Sequence, residues 1–304
     1  MIDYKQLQAL AAILEESSFD KAANRLHISQ SAVSQRLRQL EEQIGQPLVI
    51  RSNPVQATAA GQHLLKHYRQ VALLQTELQQ ELSQQMGAGF TPVSIGINAD
   101  SLGTWFLEAV QPLVEQENLL LDLKVEDQDQ THHLLKSGQV IGCISSNPDP
   151  MQGCNCLPLG VMPYRCLASP AYLARYFPNG VSSEAFRAAP VAEYSNKDEL
   201  QNRYLATYFQ LGPNDYPRHR IPATESFLQM IVLGMACGMV PDQQSHPFLE
   251  SGAVVDMSPG QYLAIPLYWH VWNLKSNLYR KLTHHLSRAA EQQLDPFTLH
   301  QHLL

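Results

Sequence analysis

A chain of 304 residues is too long for one ordinary hydrophobic core, so two domains are expected. Its 44% hydrophobic and 16% charged residues exclude a disordered chain, and no run approaches the ~20 apolar residues that span a bilayer. The net charge of −7 would by itself argue against nucleic acid, but it is unevenly spread. Residues 21–69 hold seven Lys/Arg against two acids, Glu41 and Glu42, whereas the chain from residue 91 onward holds 13 basic and 20 acidic residues. A basic block ahead of an acidic body separates a region that meets phosphate from one that does not. The opening MIDYKQLQAL lacks the basic-then-apolar layout of a signal peptide. A cytoplasmic protein is expected, with reduced thiols at Cys143, Cys154, Cys156, Cys166 and Cys237.

Residues 3–16 predict a helix with Leu7, Leu10, Ile13 and Leu14 on one face. Ser18 caps a second, with Phe19, Ala22, Ala23 and Leu26 apolar, and a short turn at 27–29 follows. Ser29 is a good N-cap for a third helix, with Ile28 and Val33 at the positions of a hydrophobic staple. Val33, Leu37, Leu40 and Ile44 recur at helical spacing and face inward. The other face, from Gln30 through Ser31, Ser34, Gln35 and Arg38, carries hydroxyl, amide and guanidinium groups suited to base edges and phosphates. Two short helices, a tight turn and this third helix make a helix-turn-helix over about 19–38. Gly45 ends the helix, a strand over 47–51 and a return strand form a wing, and Arg51 at its edge is a candidate phosphate contact.

Thr58 caps a long helix to about residue 86, where Leu64, Tyr68, Val71, Gln75, Leu78 and Leu82 trace a heptad seam for pairing with a second chain. Gly87, Ala88, Gly89 and Pro92 form a hinge. From residue 93 short apolar strands alternate with helices: a strand to 97, a helix from 101, a strand over 119–125, a helix from 130 and a strand over 140–145. This is βαβ organisation with a parallel sheet. A second alternating set runs over 164–266, and a strand at 267–271 returns to the first lobe, which leaves a cleft at the carboxyl ends of the strands.

The run AANRLHISQSAVSQRLRQLEEQIGQPLVIR followed by TAAG resembles the DNA-binding domain of the LysR-type transcriptional regulators. The resemblance extends over the whole chain. It implies an α/β protein with a winged helix-turn-helix at 1–60, a linker and dimerisation helix at 58–88, and an effector domain at 91–304. That domain is built like a periplasmic binding protein, with lobe I at 91–163 and 267–304 and lobe II at 164–266. Within the family the chain is most similar to the arginine- and lysine-responsive (ArgP-like) regulators of basic amino-acid export. The matching segments are Asn98-Ala99-Asp100-Ser101, then Val125-Glu126-Asp127 with Thr131, 176–181, Glu225 with Phe227 and Gln229, and Tyr268-Trp269-His270. The stretch 142–163 departs from the pattern and leaves part of the pocket open.

The resemblance implies promoter DNA, RNA polymerase and a small effector, arginine or lysine, as partners, with self-association as a dimer or tetramer. It implies no cofactor, metal, membrane or catalytic role. The candidate effector residues are Asn98, Asp100, Ser101, Glu126, Asp127, Thr131, Ser145 and Glu225, which lie at strand-to-helix junctions. A helix start suits an amino-acid carboxylate and the acids suit its cationic groups. For any one acid a capping or solvent-exposed role is equally open, so the set carries the reading. Cys154-Asn155-Cys156 lacks partner cysteines at zinc-finger spacing, and His132-His133, His284-His285, His300 and His302 read as solvated surface. The stretch GMACGMVP at 234–241 lacks a P-loop lysine and reads as a helix end feeding a buried strand. An enzyme, or a DNA binder without a ligand, are the rival readings; no nucleophile elbow or cofactor loop supports the first, and the second leaves the acidic domain without a role.

Overall fold

A computed structural model describes residues 2–82, 90–126 and 131–297. The chain divides into two compact units, residues 1–90 with 133–141, and residues 91–132 with 142–304.

The first unit opens with three helices, α1 (Tyr4–Glu16), α2 (Phe19–Leu26) and α3 (Gln30–Ile44). Each starts on a side-chain cap: Asp3 accepts from the Lys5 N–H, Ser18 from Lys21 and Ser29 from Ala32. Gly45 ends α3 at φ +81°, a left-handed position that suits glycine. Leu7, Leu10, Ile13, Ala22, Ala23, Val33, Leu37 and Leu40 form one buried cluster, closed by Leu48 and Val49. Strands β1 (Val49–Ile50) and β2 (Gln56–Ala57) pair antiparallel as the wing, whose base is tied down by Glu41 accepting from the Leu48 N–H at 2.8 Å.

Helix α4 (Ala59–Leu82) starts at the Thr58 cap, whose Oγ1 accepts from the Gly61 N–H at 3.1 Å. The expected seam divides along its length. Leu64 and Tyr68 pack against the three-helix core, and the Tyr68 ring lies 6.2 Å from that of Tyr4. Among the described side chains of α4 the large apolar residues left exposed are Leu74 and Leu78, the latter 53% exposed. The heptad pattern thus runs through two different tasks, because the first turns of α4 still lie over α1. The Leu82 side chain and the hinge at 87–89 are outside the described residues.

From residue 91 the chain runs β3 (Thr91–Ile97), α5 (Ala99–Ser101), a π-helical turn (Leu102–Phe106), α6 (Leu107–Glu117), β4 (Leu119–Val125), α7 (Thr131–Lys136), whose residues from His133 on belong to the first unit, β5 (Gly142–Ser145) and β6 (Cys154–Ala168). It continues with α8 (Pro170–Tyr176), α9 (Ser183–Phe186), β7 (Val191–Glu193), α10 (Leu200–Phe209), β8 (Arg218–Arg220), α11 (Thr224–Val232), β9 (Gly238–Pro241), α12 (Asp242–Glu250), β10 (Val255–Asp256), β11 (Tyr262–Trp272) and α13 (Asn277–Gln293). Among the described residues β10-β6-β11-β5-β3-β4 are neighbours in one sheet, with β9 also on β6, and β7 pairs β8. β3 is parallel to β4 and β5, as βαβ units require.

The sheet is nevertheless mixed. β6 and β11 are long and antiparallel, paired from Tyr262↔Arg165 to Trp272↔Cys154. The boundaries expected at 163/164 and 266/267 fall inside these two strands, so hydrogen-bonded strands rather than loops cross from lobe to lobe. Pro158, Gly160 and Pro163 hide β6 in the sequence; a register shift between Leu267 and Tyr268 leaves Leu159 as a bulge that absorbs them. The stretch 234–241 matches its expectation, with α11 ending at Val232 and β9 wholly buried.

Gly61 sets a sharp packing limit. A Cβ there would stand 2.0 Å from the Leu48 carbonyl oxygen. Gly61→Ala is expected to lower the stability of the first unit by ~3 kcal/mol or more, since backbone on both sides must shift. Guanidinium melts of the full chain, followed by the tyrosines Tyr4 and Tyr68, measure it; an unchanged midpoint contradicts the packing.

Candidate functional site

In the first unit, α3 presents the expected polar face. Gln30, Ser31, Gln35 and Arg38 are exposed and Ser34 is half-buried, while Val33, Leu37 and Leu40 lie inside. Ser31 Oγ lies 2.9 Å from the capping Ser29 Oγ. Arg38 is 79% exposed and its Nε meets Glu42 Oε1 at 3.0 Å. An ion pair in that much solvent is weak, so the guanidinium can exchange its partner for a phosphate. Arg51, just after β1, is exposed and stands over the Phe19 ring at 5.7 Å. The helix and the wing edge so offer amides, hydroxyls and two arginines.

In the second unit a cleft of about 700 Å³, partly open to solvent, lies between the two lobes. One wall is Asn98, Ala99 and Asp100, where β3 hands over to α5. The other is the loop after β7 with Tyr194, Lys197, Asp198 and Glu199, then Arg203 of α10, Thr224 and Phe227 of α11, and Gln244 of α12.

Asn98 is only 4% exposed, yet among the described residues neither its Oδ1 nor its Nδ2 has a hydrogen-bond partner. Ser101, three residues on and fully buried, likewise has no partner for its Oγ. A buried polar group left so costs about 1–3 kcal/mol, and each instance calls for a missing partner. Asp100 accepts a 2.7 Å hydrogen bond from the Tyr164 hydroxyl. Asp198 accepts from the Tyr194 and Leu200 N–H groups, both at 3.0 Å. Lys197 Nζ reaches across to Glu126 Oε2 at 3.6 Å.

The remaining sequence candidates fall elsewhere. Thr131 is buried and its Oγ1 donates to the Ile144 carbonyl at 2.7 Å, tying α7 to β5. Ser145 is buried and its Oγ accepts from the Asn147 N–H at 3.2 Å. Neither lines the cleft, and both hydroxyls serve the backbone. Glu225 is exposed in the first turn of α11; its neighbours Thr224 and Phe227 face the cleft instead. Glu126 meets the site only through Lys197, and Asp127 lies outside the described residues. Sequence reasoning missed Tyr164, Tyr194, Lys197, Asp198 and Arg203; the polar run from Ser195 to Glu199 between a buried strand and a helix was the available signal.

His132 also departs from its expected solvated place. It is half-buried and stacks on His270 with ring centroids 4.9 Å apart, while His133 is exposed. His270 is fully buried, its Nε2 2.8 Å from the Asn147 carbonyl and 3.6 Å from Cys156 Sγ. His284 is exposed, His285 half-buried, and His300 and His302 lie outside the described residues. Burial pushes the Cys143 thiol up to about 12, which keeps it protonated and unreactive.

Two family models match the chain, a bacterial regulatory helix-turn-helix protein of the lysR family over residues 4–62 and a LysR substrate binding domain over residues 91–291. The chain belongs to the LysR-type transcriptional regulators, a winged helix-turn-helix joined to a two-lobed effector domain. Within that family it is similar to the regulators named ArgP. It is 42% identical to ArgP of Aeromonas salmonicida over 97% of this chain and 99% of that one. Among solved structures it is similar to ArgP of Mycobacterium tuberculosis, with TM-score 0.88, 36% identity, and 98% and 100% of the two chains covered. It is also similar to full-length LysG of Corynebacterium glutamicum with bound effector arginine, with TM-score 0.79, 34% identity, and 97% and 100% covered.

Burial holds the His270 imidazole below its ordinary range despite the Asn147 carbonyl, so the folded chain takes up this proton less readily than the unfolded one. Stability is therefore lost as pH falls through the unfolded value near 6.5, by at most about 1.4 kcal/mol per pH unit for one proton. Unfolding midpoints at pH 5, 6 and 7 should fall more steeply for wild type than for His270→Gln; equal slopes contradict the assignment.

Proposed function

We propose that this regulator senses a basic amino acid, arginine or lysine, in the cleft of its second unit and so controls genes of basic amino-acid transport or metabolism. The observation that carries this reading is the buried, unpartnered amide of Asn98 beside Asp100. An amide with a vacant donor and a vacant acceptor is matched by the ammonium and carboxylate of an amino acid. The acidic groups of the cleft then favour a cationic side chain. The arginine bound to the similar LysG supports the ligand class. No cofactor enters this scheme.

In the same proposal Gln30, Ser31, Ser34, Gln35 and Arg38 read promoter DNA, Arg51 holds a phosphate, and RNA polymerase is the further partner. Val71, Leu74 and Leu78 of α4 form the surface through which two chains pair, with tetramers built from such dimers, in the cytoplasm.

Calorimetry with purified protein should show arginine or lysine binding at millimolar concentration or tighter, with glutamate much weaker. Asn98→Ala should weaken binding about tenfold to hundredfold, because a hydrogen bond to a charged group contributes ~1.5–3 kcal/mol. Clear binding of an acidic or aromatic amino acid, with none of either basic one, contradicts the ligand class.

On the DNA side, Gln35→Ala should lose ~1–3 kcal/mol and relax specificity at one base pair. Arg51→Ala should weaken all sequences alike and flatten the salt slope by about one unit. Footprints at wild-type affinity from a Gln35→Ala, Arg38→Ala double variant exclude this face of α3.

A further inference from the structure

We infer that Arg203 of α10 binds the α-carboxylate of the effector. This rests on the amino-acid reading of the cleft given above and names the group that recognises the end every amino acid shares.

Among the described residues that line the cleft, two carry a positive charge, Lys197 and Arg203. Lys197 Nζ lies 3.6 Å from Glu126 Oε2, so its charge already has a counterpart. The Arg203 guanidinium makes no hydrogen bond or ion pair with any described residue. It therefore has no internal contact to give up when a ligand arrives. Its helix is nevertheless firmly held. Gln201, Tyr204, Leu205 and Phe209 of α10 are buried, and Asp198 ties down the entry to the helix by accepting from the Tyr194 and Leu200 N–H groups, both at 3.0 Å. The fold thus fixes the backbone that carries Arg203, while the residue itself stays exposed.

An amino acid that enters the cleft brings a carboxylate and strips part of its water. An amide such as that of Asn98 can donate to this carboxylate but cannot neutralise it, and an ionised carboxylate is unstable away from water without an opposite charge. A guanidinium supplies a full charge and paired donors in a planar fork that matches the two carboxylate oxygens. A second and independent sign of a ligand at this place is Asn98 itself, which lines the same cleft, is 4% exposed, and has no hydrogen-bond partner among the described residues. Arginine and lysine share the group that Arg203 recognises, so this contact serves both alike and leaves discrimination between their side chains to other residues.

The test titrates the full-length protein calorimetrically with arginine, lysine and argininamide, in which an uncharged amide replaces the carboxylate. The wild type should favour arginine over argininamide. Arg203→Gln should weaken arginine and lysine together, about tenfold to hundredfold, and argininamide less than about threefold, as expected for loss of a hydrogen-bonded charged partner. Arg203→Lys keeps the charge and loses the fork, and should fall between the wild type and Arg203→Gln. Because Arg203 is exposed, both variants should fold, which thermal melts verify. Wild-type arginine affinity in Arg203→Gln, or parallel weakening of arginine and argininamide, overturns the anchor and leaves the ligand class standing. If the wild type instead binds an acidic or aromatic amino acid and neither basic one, the ligand class falls, and the same comparison between that amino acid and its amide decides the anchor. A wild type that binds no amino acid overturns both.

Discussion

The antiparallel pairing of β6 with β11 organises the second unit. At one end β11 continues into β5, β3 and β4; at the other, β6 carries β9 and β10. Two lobes built on opposite ends of one strand pair cannot drift apart as domains on flexible linkers do, because separation would break a continuous ladder. The Leu159 bulge lies within that ladder, where β-pairing yields most easily. Tyr164, five residues further along β6, joins the ladder to Asp100. Asp100 is thereby joined to the strand pair that both lobes share.

One wall of the cleft holds a buried polar group that lacks a hydrogen-bond partner among the described residues. Among the described residues the Asn98 amide is buried without a hydrogen-bond partner, and the Tyr164 phenol feels the charges of both Asp100 and Asp198. Two charged side chains elsewhere in the same unit are met by opposite charges. Glu193, almost fully buried, is met by Arg218 at 2.9 Å and Arg220 at 3.5 Å, and Arg165 is met by Asp242 and Asp256.

The first unit was largely legible in the sequence because its determinants are local. Ser18, Ser29 and Gly45 mark helix ends within one turn of themselves, and Val33, Leu37 and Leu40 reveal the inward face by spacing alone. The cleft was half legible. Asn98 and Asp100 were found because a strand-to-helix junction has a sequence signature. Thr131, Ser145 and Glu225 share that signature but do not line the cleft, since the first two hydroxyls bond backbone nearby and Glu225 is exposed in the first turn of α11. Asp198 and Arg203 stand on a loop and a helix brought to Asn98 by β6, a long-range placement that no local pattern records. β6 itself was shortened in the reading because prolines and a glycine look like breakers until a partner strand supplies the bulge that accommodates them.

Helix α4 shows how one periodicity can serve two surfaces. A heptad pattern states only that a stripe is apolar; it does not name what covers the stripe. Leu64 and Tyr68 are covered by α1 and its neighbours in the same chain, and Tyr4 meets Tyr68 directly. Leu74 and Leu78, two and three turns further on, have risen clear of that core and stand exposed. The proximal turns thereby fix the direction in which the distal turns leave the DNA-binding core. A helix anchored this way presents its exposed leucines on a rigid base, which is the condition for pairing two chains with a defined separation between their α3 helices. The pairing proposed for this protein thus depends on Leu64 and Tyr68 as much as on the leucines that would form it: the first pair orients the surface and the second supplies it.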